Sequence, residues 1–185
     1  MYKQSIKNYV SVTALAIVIT SMIGCSKSSV TPTATNKFTL RGNTYSVNLS
    51  IDVPISKSGS STNDSNELSF LGLATNKTTS GIIFLFNGTA RPAAGSYSVV
   101  DIAATLGVNQ VAIQALDSIS VSQQALLSAA GTDNVKLTLT VNSAGKITIN
   151  LPITQLTGVN VDNTDPSNSK LTPLSTTLSG SFSEQ

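Results

Sequence analysis

Few side chains in this sequence could do acid–base or nucleophilic chemistry. It has no histidine and one cysteine, Cys25. Without histidine, the Ser-His-Asp and Cys-His nucleophile systems and all histidine-based metal centres are excluded. What remains is lysine, tyrosine and nine carboxylates: Asp52, Asp64, Glu67, Asp101, Asp117, Asp133, Asp162, Asp165 and Glu184. Two carboxylates flanking a glycosidic bond could hydrolyse it. Most of these acids lie beside loops or strand ends, and no spacing singles out a pair. A carboxylate-based hydrolase therefore has no positive support. No cofactor motif is present, and the expectation is a chain with no catalytic residue and no cofactor.

Asp162, Asn163 and Asp165, in Asp162-Asn163-Thr164-Asp165-Pro166, could offer oxygens to calcium. Calcium takes six to eight oxygens, and the Gly and distal Glu of an EF-hand loop are missing. Asp, Asn and Pro are turn formers, so a turn is the favoured reading. The same holds for Asn63-Asp64-Ser65-Asn66-Glu67. Beyond Tyr2 and Tyr9 the only tyrosines are Tyr45 and Tyr97, and there is no tryptophan. Both sit at alternating apolar positions, which places them in the core rather than on a sugar-stacking platform.

Cys25 closes the hydrophobic stretch Val10 to Ile23, which follows Lys3 and Lys7. A basic start followed by a short apolar run is the pattern of a secretory signal. The run is shorter than the roughly 20 apolar residues of a membrane span, and it contains Ser11, Thr13, Thr20 and Ser21. Met22-Ile23-Gly24-Cys25 resembles a bacterial lipobox, in which the cysteine is lipidated and becomes the first mature residue. The expectation is residues 1–24 as a lipoprotein signal peptide, a lipid-anchored tether over 25–36 and a single domain over 37–185. Removing residues 1–24 leaves 161 of the 185 residues, with nine basic and nine acidic side chains. No basic patch points to nucleic acid. With Cys25 acylated no disulfide can form, so the fold must stand on its core.

Period two dominates from Lys37 onward. Tyr45, Val47, Leu49, Ile51 and Val53 alternate with polar residues and read as one half-buried strand. Phe38 and Leu40 precede it, across a turn at Arg41-Gly42-Asn43. Leu68, Phe70 and Leu73 form a strand, Asn76 to Gly81 a turn, and Ile82 to Phe86 a strand buried on both faces. Gly95 to Val100 and Val111 to Leu116 follow, with Ile113 inward. Residues 122–130 read as a short helix capped by Ser122, or as a strand; the neighbouring strands favour the latter. Val135 to Val141 and Ile147 to Leu151 form a hairpin, with Pro152 marking an edge or a strand end. Residues 158–170 read as a polar loop, and Leu174, Leu178 and Phe182 as a closing strand. The sum is an all-β fold: an antiparallel sandwich or partly closed up-and-down barrel of about eight to ten strands.

The lipobox, the opening Phe38-Thr39-Leu40-Arg41-Gly42-Asn43-Thr44-Tyr45, the central Gly95-Ser96-Tyr97-Ser98-Val99 and the terminal Leu178-Ser179-Gly180-Ser181-Phe182 resemble small uncharacterised lipoproteins of the Bacteroidota. That resemblance carries no assigned activity. It implies the outer membrane, where export to the cell surface goes with acidic residues soon after the lipidated cysteine. Ser26-Lys27-Ser28-Ser29 has none, so the periplasmic face is expected, with the cell surface as the alternative. Asp117-Ser118-Ile119 likewise resembles the Asp-Ser/Thr-aliphatic O-glycosylation sequence of that phylum; the other reading is a strand-end turn. The functional expectation is a non-catalytic envelope lipoprotein, a binding or structural module held to the membrane by lipid. Its alternative is a lipocalin-like carrier of a small hydrophobic ligand, which needs a hollow interior. The large residues Phe70, Phe84, Phe86 and Tyr97 could instead fill that space.

Overall fold

A computed structural model describes residues 36–55, 64–75, 78–118, 120, 122–131, 134–165 and 168–185. The signal, Cys25 and the tether up to residue 35 lie outside the described residues. The described chain is all-β. Its strands are β1 (Lys37–Leu40), β2 (Asn43–Ile55), β3 (Ser65–Ala74), β4 (Thr79–Asn87), β5 (Gly95–Val100), β6 (Gln110–Ser118), β7 (Gln123–Ala129), β8 (Lys136–Val141), β9 (Ile147–Asp162) and β10 (Lys170–Ser183).

All ten strands share one sheet whose hydrogen bonding runs round a ring. From β10 the ring passes to β1, β2, β3, β4 and β6. Between β6 and β9 it divides: β7 alone bridges them at one end, and β5 with β8 bridges them at the other. β9 pairs with β10 and completes the circuit. The expectation of an antiparallel, up-and-down order holds from β1 to β4 and fails beyond it, where β5 pairs with β8 and β7 with β9. β5 pairs parallel to β6, while β4 skips β5 and pairs with β6 directly. Residues 101–109 make the crossover that a parallel pair requires.

Local chemistry explains most elements. Arg41 and Gly42 both have positive φ, 53° and 78°, the two-residue hairpin geometry that keeps the strand twist between β1 and β2. Within residues 122–130 the chain forms strand β7, not helix, because β7 finds partners on both sides. Two boundaries differ from expectation. β4 already begins at Thr79, so Gly81 lies within a strand. β9 runs through Pro152 to Asp162, which absorbs the start of the expected polar loop. Pro152 is tolerated because β9 changes partner there: Asn150 is its last residue on β8 and Leu156 its first on β7. A missing N–H costs nothing where no ladder needs it.

The third difference concerns β2. Val47 pairs with Gly72 and Leu49 with Leu71, which leaves Asn48 as an extra, bulged residue. A one-residue slip exchanges the two faces of a strand. Tyr45 and Val47 therefore point inward, but Leu49, Ile51 and Val53 point out, and Ser50 and Asp52 lie opposite the core residues Phe70 and Leu68. The outward side chains of β3, β4, β6 and β7 are mixed: Leu71, Leu73, Ile83, Leu85, Leu116 and Leu126 stand among Glu67, Ser69, Gln114 and Ser128. The opposite side of the ring presents Lys37, Thr39, Lys136, Thr138, Thr140, Ser175 and Thr177, all exposed.

The interior is packed with aromatic rings. Phe38 stacks on Tyr45 at 5.0 Å and on Phe182 at 5.1 Å between centroids. Phe70 and Phe84 close on Phe182 at 5.5 and 5.0 Å. Phe86 meets Tyr97 edge to face at 5.0 Å. Gly72 makes room for this stack, since a Cβ there would lie 2.5 Å from the Phe38 ring.

Candidate functional site

Two polar constellations stand out, one across the strands near the β1–β2 turn and one at the seam where the ring closes. In the first, Tyr45 on β2 donates its hydroxyl to Asp117 Oδ1 on β6 at 2.6 Å. Arg41 in the β1–β2 turn donates to Asp117 Oδ2 at 3.2 Å. Asp117 and Tyr45 are fully buried, while Arg41 keeps contact with solvent. β6 places Asp117 inward because it continues the Val111, Ile113, Ala115 phase. Burial and the Asp117 carboxylate push the Tyr45 hydroxyl up to about 12. Asn160 lies in the same layer, since Asp117 pairs with Ala125 and Ala125 with Asn160. The phenol and the guanidinium both donate to this one carboxylate, and the arrangement fastens β2 and the first turn to β6.

At the seam, the Asn36 side chain donates to the Ser183 carbonyl and accepts from the Ser183 N–H, both at 2.8 Å. It thereby extends the β1–β10 pairing by side-chain bonds. Arg91 bridges Asp52 on β2 and Glu184 beyond β10. Glu184 also accepts the Ile147 N–H at 2.6 Å. Asp52 accepts from Asn66 at 2.9 Å. Two carboxylates do converge here, but on a guanidinium that occupies the space between them.

The expected site residues fall elsewhere. Asp162 accepts the backbone N–H and the hydroxyl of Thr164, and the Gln123 amide donates to it at 3.2 Å. Those hydrogen bonds hold its carboxyl below the usual range. Its lone pairs serve a turn. Asn163 and Asp165 are exposed. Among the described residues no three of His, Cys, Asp and Glu come together as a metal-holding group. Ser118 is the last residue of β6, half-buried and paired with Thr79 and Gln124 in the ladder. Cys25 and Ile119 lie outside the described residues.

Sequence reasoning missed Glu67. It points away from the barrel interior, yet it is 4% exposed. In register it lies between Val53 and Leu85, and it accepts the Ser69 hydroxyl. Burial raises its pKa above the ordinary carboxylate value. No sequence signal marks this, because alternation places Glu67 on the face opposite the core residues Leu68 and Phe70. Between Val99, Gly131, Val135, Thr154 and Gln155 there is a gap of about 10 Å³, roughly one water in size. Comparison of the chain with protein-family models, with curated proteins and with solved structures finds no match.

Proposed function

We propose that the mature chain is a non-catalytic envelope lipoprotein, anchored through Cys25, whose all-β domain serves as a binding or structural module at the periplasmic face of the outer membrane. The observation that carries this reading is the filled interior. Phe38, Tyr45, Phe70, Phe84 and Phe182 occupy the space in which a carrier would hold its ligand. Ligand pockets typically have several hundred Å³. The packing supports recognition through the outer surface over carriage inside. The polar constellations support it too, because each acid in them is committed to an ion pair or a strand contact. Two or more acyl chains anchor firmly, at about 0.8 kcal/mol per buried methylene.

The experiment is Cys25→Ser in the native host. Acyl labelling should disappear and the protein should leave the membrane fraction. Membrane association that survives the substitution would refute the anchor. Turnover of any substrate that is lost on replacing a single Asp or Glu would refute the non-catalytic reading.

A further inference from the structure

β10 is paired unequally on its two sides. β9 accompanies it from Lys170 to Ser183, but β1 pairs only with Leu178, Ser179 and Gly180. Beyond Leu40 the chain turns at Arg41 and Gly42, and the Arg41 side chain reaches across to Asp117. Leu171 to Thr177 therefore form an open edge: among the described residues no strand pairs with them on the β1 side. Ser183 shows which backbone groups face that edge. Its N–H and carbonyl both bond to the Asn36 side chain on the β1 side, while the next N–H, of Glu184, bonds to Ile147 of β9. Where β9 and β10 slip, the extra residue lies on β9, between Leu151 and Thr154, so the alternation of β10 is unbroken. Counted back in twos, Thr177, Ser175, Pro173 and Leu171 turn their backbone groups to the open side, and Thr176, Leu174 and Thr172 turn theirs to β9. Pro173 thus stands where β9 needs no N–H. The side chains of Leu171, Pro173, Ser175 and Thr177 are exposed. The edge carries no charged residue of the kind that guards against pairing.

We propose that this edge pairs with the same edge of a second copy, antiparallel across a two-fold axis at Leu174. The edge is self-complementary in that register. Leu171 lies opposite Thr177 and Pro173 opposite Ser175, so every N–H on the edge meets a carbonyl of the partner. On the other face of the strand Thr172 meets Thr176 and Leu174 meets Leu174, pairings that favour a sheet. The neighbouring registers are worse. Centred on Pro173, two prolines oppose each other and no bond forms at the axis. Centred on Ser175, the pairing needs Ser179, which β1 already holds. The nearest charge, Lys170, falls opposite Leu178 of the partner and pairs in register with Asp162 of its own chain, so the copies do not repel. A proline in the middle of an edge rejects most partner strands, yet this edge accommodates its own. One strand pair is a smaller contact than the roughly 800 Å² per partner of a standard interface, so the dimer is weak and reversible. The proposal deepens the structural-module reading, under which anchored copies share one membrane, but the pairing itself needs no lipid.

The test uses the full chain carrying Cys25→Ser, so that each introduced cysteine is the only one present. Leu174→Cys lies opposite itself on the axis and should form an interchain disulfide under mild oxidation. Leu174 packs against the core, so a second arm spares it. Thr172→Cys and Thr176→Cys proteins, mixed, should cross-link to each other several-fold more than either does to itself. Thr177→Cys, about 20 Å from its copy in this register, should not cross-link to itself. Ser175→Pro removes an edge N–H and should abolish cross-linking through position 174 with little change in the urea midpoint. Thr176→Pro removes a bond to β9 and should lower that midpoint. Cross-linking that shows no preference for position 174 or for the mixed pair over position 177, or that survives Ser175→Pro, would overturn the proposal. So would a monomer in sedimentation at about 1 mM, which would make Pro173 the guard of a solitary edge. Membrane association that survives Cys25→Ser in the native host refutes the anchor and leaves this result as it stands, so the two failures are distinguishable.

Discussion

Asp117 and Glu67 show how a buried carboxyl group is treated in different ways by its neighbours. Asp117 is buried with two donors aimed at it. Removing the carboxylate strands the Tyr45 hydroxyl and the Arg41 guanidinium, and breaking a buried pair costs several kcal/mol. Asp117→Ala should destabilise by about 3 kcal/mol, read as a lower urea midpoint, and Tyr45→Phe by about 1–2 kcal/mol, since it removes one donor from a buried acceptor. An Asp117→Ala midpoint equal to wild type would show that the pair is dispensable. Tyr45, raised to about 12, stays protonated in the fold after it would ionise in the unfolded chain. Its contribution to stability is present below about pH 10 and is lost as pH rises from there toward 12. Burial raises Tyr97 as well. In the mature protein, tyrosinate absorbance should therefore appear together with unfolding and not before it. Glu67 is raised by burial with only a serine hydroxyl to compensate. A raised carboxyl binds its proton more tightly when folded, so its stabilising contribution is complete at acid pH and is lost as pH climbs through the folded value. Glu67→Gln should consequently raise the melting temperature at neutral pH, and the gain should vanish below about pH 4. A gain that persists unchanged at acid pH would contradict this account.

At the scale of elements, the ring closes through β1, which has four residues between two much longer strands. That brevity requires a close seam. Gly180, at φ 153°, pairs with Phe38, and a Cβ there would lie 2.5 Å from the Phe38 Cα. No side-chain rotation relieves a clash with backbone. Gly180→Ala should cost about 2 kcal/mol or more, visible in the urea midpoint, and should speed amide exchange in β1 first. Asn48 is the second decisive residue. Deleting it would return Leu49, Ile51 and Val53 to the inner face and expel Ser50 and Asp52. The Arg91–Asp52 ion pair and the bond from the Gln185 N–H to Ser50 would be lost. The expected outcome is a destabilised protein despite the more regular sequence pattern, measured by thermal melting; a deletion variant of equal stability would mean that the bulge is incidental.

For the molecule as a whole, stability rests on the aromatic interior. Phe84 is fully buried and touches both Phe70 and Phe182. Phe84→Ala should cost about 3–5 kcal/mol, and the cavity it opens should admit a small aromatic probe that wild type excludes. Strand content was readable along the chain because period-two patterning is a local property: Phe38 and Leu40, Leu137 and Leu139, Ile147 and Ile149 all face inward as their alternation requires. Leu174, Leu178 and Phe182 marked the closing strand by the same rule. The Arg41-Gly42 turn was readable because positive φ has a residue preference. The absence of histidine and the lone Cys25 bounded the chemistry for the same reason, since residue type alone decides which bonds a side chain can make. The choice of neighbours was not local. That β4 pairs with β6, that β5 lies parallel to β6, and that β9 crosses from β8 to β7 at Pro152 are outcomes of fitting a filled interior inside a closed ring. The inward Asp117 and the outward Leu49 follow from register, which a single bulged residue reverses. A sequence carries the period of a strand, but its phase is set by the strand beside it, and only the tertiary structure decides which strand that is.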